Sequence, residues 1–111
     1  MLSVALPLAL VAGASTYAAP DLADAKCVAA YAIQASSTDA KTQQGGIFGT
    51  VYFVGKLRGR SPDLDIEAIL RVVGREVKRA HQDYLARCGV EMQVMGATLI
   101  KAGNALEADG Y

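Results

Sequence analysis

The chain has 111 residues, enough for one small domain, and about half of them (52%) are apolar, as in globular rather than disordered chains. Eleven basic and eleven acidic side chains give a formal net charge of zero, so no overall field draws it to nucleic acid, an anionic membrane or a cationic substrate. Nucleic acid is therefore not an expected partner.

Every charged side chain lies at or after Asp21. Before it, an apolar stretch from Val4 to Ala14 is followed by the small and polar residues Ser15 to Ala19. That is the layout of a secretory signal peptide, too short for the roughly 20 residues that a membrane-spanning helix needs. Residues 1–18 are read as the signal, cut after Ala18, and 19–111 as a single helical domain in the periplasm or outside the cell. The opening Met-Leu-Ser lacks the usual basic residue, which leaves two alternatives: a start upstream of Met1, or an uncleaved anchor that would make this an envelope-associated structural protein. Export also sets the reading of the cysteines. Cys27 and Cys88 are the only pair, and in a secreted chain they are expected to form a disulfide.

The first expected helix starts with Asp21 as its cap and runs to about Ala35, with Cys27, Ala30 and Tyr31 on one face. Ser36, Ser37, Thr38 and Asp39 end it, because their side chains compete for backbone hydrogen bonds. Residues 42–58 send mixed signals. Ile47, Phe48, Val51 and Val54 favour a strand and four glycines weaken a helix, yet there is no period-two alternation and no partner strand to take the hydrogen bonds. The reading is a buried helix whose glycines admit a neighbour closely. It is expected to close at Gly59 in the left-handed conformation, behind the cations Lys56, Arg58 and Arg60.

Ser61 and Pro62 are read as the start of a third helix, with Asp63, Asp65 and Glu67 at its positive end. From there Ile66, Leu70, Val73, Val77, Ala80 and Tyr84 recur every three or four residues and lead to Cys88. This run is expected to be the face around which the chain is organised. The period continues through Met92, Met95, Leu99, Ala102 and Leu106, and a helix of about 40 residues is too long for a small domain. A break near His81 to Asp83, with Asp83 as the new cap, would leave Cys88 inside the fourth helix; Gly89 is the other candidate. Residues 107–111 are expected to fray.

Few residues carry chemistry. His81 is the only histidine, so any triad, dyad or histidine metal site would have to use it; a surface position with a possible role as pH sensor is expected instead. Asp63, Asp65 and Glu67 open like a calcium loop, but Ala68 and Gly74 stand where that loop needs Gly and Glu. Gly55-Lys56 lacks the glycine and hydroxyl residue of a phosphate loop, Thr50 and Leu57 standing in their places. Lys56, Arg58 and Arg60 are a candidate anion contact, and Met92 with Met95 a candidate adaptable groove.

The export signal, a helix bearing Cys27, the stretch Tyr52-Phe53-x-Gly55-Lys56-Leu57-x-Gly59-Arg60-x-Pro62-x-x-Asp65 and the late Arg87-Cys88 together resemble small exported one-disulfide helical proteins of Gram-negative bacteria. The architecture is more distantly similar to acid-stress chaperones of the HdeA type and to the Rap1a/Tai immunity proteins. The chain lacks the tryptophan expected beside the first cysteine of the chaperones, so no functional residue is carried over. The resulting expectation is an all-α bundle of three to four helices stapled Cys27 to Cys88, not an enzyme and without a cofactor. It would bind another protein, as an inhibitor, immunity factor or holdase does. The alternatives are the envelope tether and a small ligand or anion carrier using Lys56 to Arg60.

Overall fold

The structure, a computed structural model, describes residues 16–110. The apolar stretch Val4–Ala14 of the expected export signal lies outside the described residues. The described chain is all-helical, with no strand: α1 (Ala19–Ala35), α2 (Ala40–Arg60), α3 (Ile66–Arg79) and α4 (His81–Ala108). It is elongated, about 70 × 31 × 20 Å.

The centre is α1 rather than the Ile66–Cys88 face. Ala25, Val28, Ala29, Ala30 and Tyr31 are all buried, and these positions run around most of the helix, so α1 is sheathed by the other three. Its alanines make this possible by keeping the helix thin enough for neighbours on several sides. Asp21 does not cap it. The N-cap is Ala18, with Pro20 in the first turn, and both Asp21 oxygens are used elsewhere.

The ambiguous stretch is helical. Asp39 caps α2 by accepting from the Thr42 amide at 3.0 Å. Two of the glycines act as expected at a close crossing of α1: a Cβ on Gly46 would lie 2.3 Å from the Ala35 nitrogen, and one on Gly49 would lie 2.3 Å from the Tyr31 ring. Gly59 departs from expectation, since it stays in the helix, and among the described residues only Gly110 has positive φ. The helix closes instead at Ser61, whose amide donates to the Leu57 carbonyl.

The third helix also begins later than Ser61-Pro62. Asp65 caps α3 at the Ala68 amide, and the residues between form a turn. Ile69, Val73 and Val77 are its buried positions, while Ile66 and Leu70 sit at the edge of the core. A break before α4 is present, but it falls at Ala80, just ahead of the expected His81 to Asp83 stretch, which is already helical; Asp83 lies in the first turn and does not cap it. The two helices meet at Ala80, which ends one and begins the next with no side-chain cap. Cys88 is accordingly inside α4. That helix runs on to Ala108, so residues 107 and 108 are helical rather than frayed.

The core is in two joined parts. Ala25, Ala30, Leu57, Ile69, Val77 and Tyr84 form one; Val28, Tyr31, Phe53 and Cys88 form the other, with Leu70 and Leu85 packing against both. Tyr31 stacks on Phe53, and Tyr52 meets Phe53 edge-on. The Cys27–Cys88 disulfide ties α1 to α4 across 61 positions of sequence.

Candidate functional site

The feature that sequence reading missed lies beside the disulfide, where α1, α2 and α4 meet. Tyr52, Lys56 and Arg60 recur every four residues and so share one face of α2; Asp21 and Asp24 are three apart and share one face of α1. The antiparallel packing of the two helices sets these faces opposite each other. Arg60 donates through Nε to Asp21 (2.9 Å) and through Nη2 to Asp24 (2.6 Å), while the Ser61 hydroxyl donates to the other Asp21 oxygen (2.9 Å).

Lys56 spans the gap to α4. Its Nζ lies 3.2 Å from Asp24 and 2.8 Å from Glu91, which also accepts from the Tyr52 hydroxyl at 2.6 Å. Asp21 and Asp24 are both buried. A buried carboxylate without a partner is expensive, and here each has one.

The titration directions follow from these contacts. The hydrogen bonds from Arg60 and then Ser61 hold Asp21 below the usual carboxylate range. Burial alone would raise Glu91, but the Lys56 and Tyr52 hydrogen bonds together outweigh it and leave it lowered. The Glu91 contact raises Lys56. On the far side of α1, hydrogen bonds from Tyr84 and then Lys26 hold Glu76 low.

This network is closed. Among the described residues, no buried side-chain polar atom is left without a hydrogen-bond partner. Of the three cations proposed as an anion contact, Lys56 and Arg60 turn toward carboxylates, and Arg58 points away to the Pro62 carbonyl at 3.4 Å. Asp21, Asp24 and Glu91 already neutralise these two, although both remain about a third exposed at the edge of the network. Next to the network, an open cleft of about 510 Å³ runs between Ala19, Pro20 and Ala23 on one wall and Arg87 and Glu91 on the other.

The remaining sequence candidates lie apart from it. His81 sits at the start of α4, and its Nε2 is 2.8 Å from the Ala30 carbonyl. A carbonyl only accepts, so Nε2 carries a proton, and it does so in both the neutral and the charged imidazole. Protonation would therefore keep this contact rather than break it. Met92 packs partly buried against Cys88, and Met95 lies one turn beyond. Among the described residues, no group of three or more His, Cys, Asp or Glu is placed to hold a metal ion, and no helix is long and apolar enough to cross a membrane.

The chain was compared with family models, curated proteins and solved structures, and none matches. The functional reading therefore rests on the chain's own geometry.

Proposed function

We propose that the chain is an exported, non-enzymatic helical protein that binds another protein through the outer face of α2. The observation that carries this reading is the placement of Ile47, Phe48 and Val51. Phe48 is 61% and Val51 65% exposed, while the opposite face of the same helix buries Gly49, Phe53 and Leu57. Three large apolar side chains on one exposed face, flanked by Lys41, Gln43 and Gln44, make the kind of surface that a partner dries on contact.

Two further observations support the reading. The Cys27–Cys88 bond suits an oxidising compartment. The charged groups that catalysis would use are engaged with one another as a latch between helices. The partner class is that of an inhibitor, immunity factor or holdase.

A photo-crosslinking residue placed at Phe48 tests this in the envelope of producing cells, with the same residue at the exposed Arg75 of α3 as control. The expected result is one adduct to another protein from position 48 and none from position 75. Failure to form any adduct from position 48 or from a second probe at Val51 would overturn the reading. Intact-mass spectrometry of the exported form tests export, with a mass beginning at Ala19 and thiols that label only after reduction as the expected outcome. A retained residue 1–18 segment would favour the envelope tether instead.

A further inference from the structure

Along the solvent side of α2, Lys41, Gln44, Phe48, Val51, Gly55 and Arg58 follow one another at alternating spacings of three and four, a seam about 26 Å long. Ile47, 48% exposed, widens its apolar middle beside Phe48 and Val51. A Cβ at Gly55 would meet nothing within 4 Å, so the backbone is open to close approach there. Both ends of the seam are cations.

Charge along α2 is one-sided. Between Ala40 and Arg60 there is no Asp or Glu. The first turns of α1, α3 and α4 carry Asp21, Glu67 and Asp83, as the positive pole of a helix favours, whereas α2 has no acid there and carries Lys41 instead. The acid just ahead of it, the cap Asp39, is taken by the amide and the hydroxyl of Thr42. Lys56 and Arg60 turn to carboxylates, but among the described residues Lys41 and Arg58 enter no ion pair, and Arg58 reaches only the Pro62 carbonyl at 3.4 Å. A cation set against the local preference and left unpaired points to a contact outside the chain.

We propose that the partner docks an acidic amphipathic helix on this seam, apolar in its middle and bearing Asp or Glu at two points about 26 Å apart that meet Lys41 and Arg58. This deepens the proposed function and rests on it. Apolar side chains at the same period interdigitate with Phe48 and Val51, and Gly55 lets the two backbones come close. The end charges fix the partner's position along the seam and turn away basic competitors.

The same charges count against other occupants. Two copies of the chain paired along the seam would set Lys41 against Arg58 if antiparallel, and Lys41 against Lys41 if parallel, so cation meets cation in either direction. A helix that lies on an anionic bilayer spreads its basic residues along its polar face. In α2 the face opposite the seam is packed on α1 instead, and Lys56 and Arg60 beside it are held by carboxylates.

The photo-crosslinking residue at Phe48 supplies the test, placed in the otherwise unchanged chain and in Lys41→Glu/Arg58→Glu, both made in the same cells. The charge reversal is expected to lower the adduct about tenfold at unchanged melting temperature, while Lys41→Arg/Arg58→Lys keeps it. Sequencing of the cross-linked peptide is expected to show apolar residues at spacings of three and four between acidic ones. An adduct that the reversal leaves unchanged would overturn the proposal, and so would one to a neutral or basic segment, to a second copy of this chain or to phospholipid. If the reversed chain does not fold, Lys41→Gln/Arg58→Gln is read in its place, with a loss of about threefold expected and an unchanged adduct overturning the proposal. An adduct to another protein that is indifferent to charge leaves the docking face standing and removes only the acidic helix. With no adduct from position 48 or 51, both fall.

Discussion

The two halves of α4 share a helix and an apolar period, and differ in what covers them. In the first half, Tyr84 and Cys88 are buried, and Leu85 and Met92 pack against the two parts of the core. In the second half, Leu99 and Leu106 carry the same register into solvent. The first half is also tied by the disulfide and by Glu91, whereas among the described residues of the second half there is no ion pair. An apolar period thus specifies which face a helix will bury, and leaves open whether the cover comes from the same chain. Substitutions in the first half should act on the folding of the whole body, and those in the second only on the local stability of the helix.

The largest expected effect is loss of the staple. Replacing Cys27 and Cys88 by serine opens a loop of 61 positions, worth about 4 kcal/mol in the chain-entropy model. The melting temperature of a domain this size should fall by roughly 15 to 30 °C, read by circular dichroism with and without reductant. If the loss is only a few degrees, the hydrophobic contacts of α1 carry the body alone and the two halves of α4 differ less than the structure implies.

Next comes Gly46→Ala. The added methyl would meet the Ala35 backbone nitrogen at 2.3 Å, and neither backbone has a flexible side chain to move aside. Alanine's better helix propensity returns about 1 kcal/mol, against a displacement of two packed helices, so a net loss of about 2 to 4 kcal/mol is expected in urea denaturation. An unchanged midpoint would mean that the α1–α2 crossing is looser than described.

How much of this was readable in the sequence depends on whether the signal was local. The helices followed from periodicity and breakers, and the disulfide from there being only two cysteines. The starts of α1 and α3 were misplaced because Asp21 and Ser61 resemble caps locally, yet Asp21 is drawn into a partner 39 positions away. Lys56 and Arg60 were read as free cations for a related reason. Their carboxylates lie on α1 and α4, and only the fold brings those helices together. The spacings Asp21–Asp24 and Tyr52–Lys56–Arg60 did contain the faces, but not the fact that they meet. The hub role of α1 was hidden as well, since a helix buried on several sides has no single apolar stripe to detect.

Acid should act on the first half of the comparison. Asp21, Glu76 and Glu91 are all held below their ordinary values in the folded chain. A carboxylate lowered on folding contributes stability that is fully present above its unfolded value, about 4, and is lost as the pH falls through the lowered folded value. The denaturation midpoint should therefore be lower at pH 3 than at pH 7, with apolar dye binding rising as α1, α2 and α4 separate. Flat dye binding at pH 3 would remove the holdase version of the proposed function while leaving the inhibitor and immunity versions in place.

The smallest effect on folding, and the sharpest on the comparison, is expected from Gly96→Ala. In the isolated chain this position is open, so the methyl costs nothing and should strengthen the projecting helix by up to about 1 kcal/mol. Because the gain lies outside the cooperative body, the melting temperature should barely move, and slower amide exchange between residues 93 and 105 is the readout that detects it. One substitution should therefore slow local exchange and leave the midpoint of the body where it was. If the midpoint rose along with the protection, the second half of α4 would belong to the cooperative body, and the two halves would differ less than their burial implies.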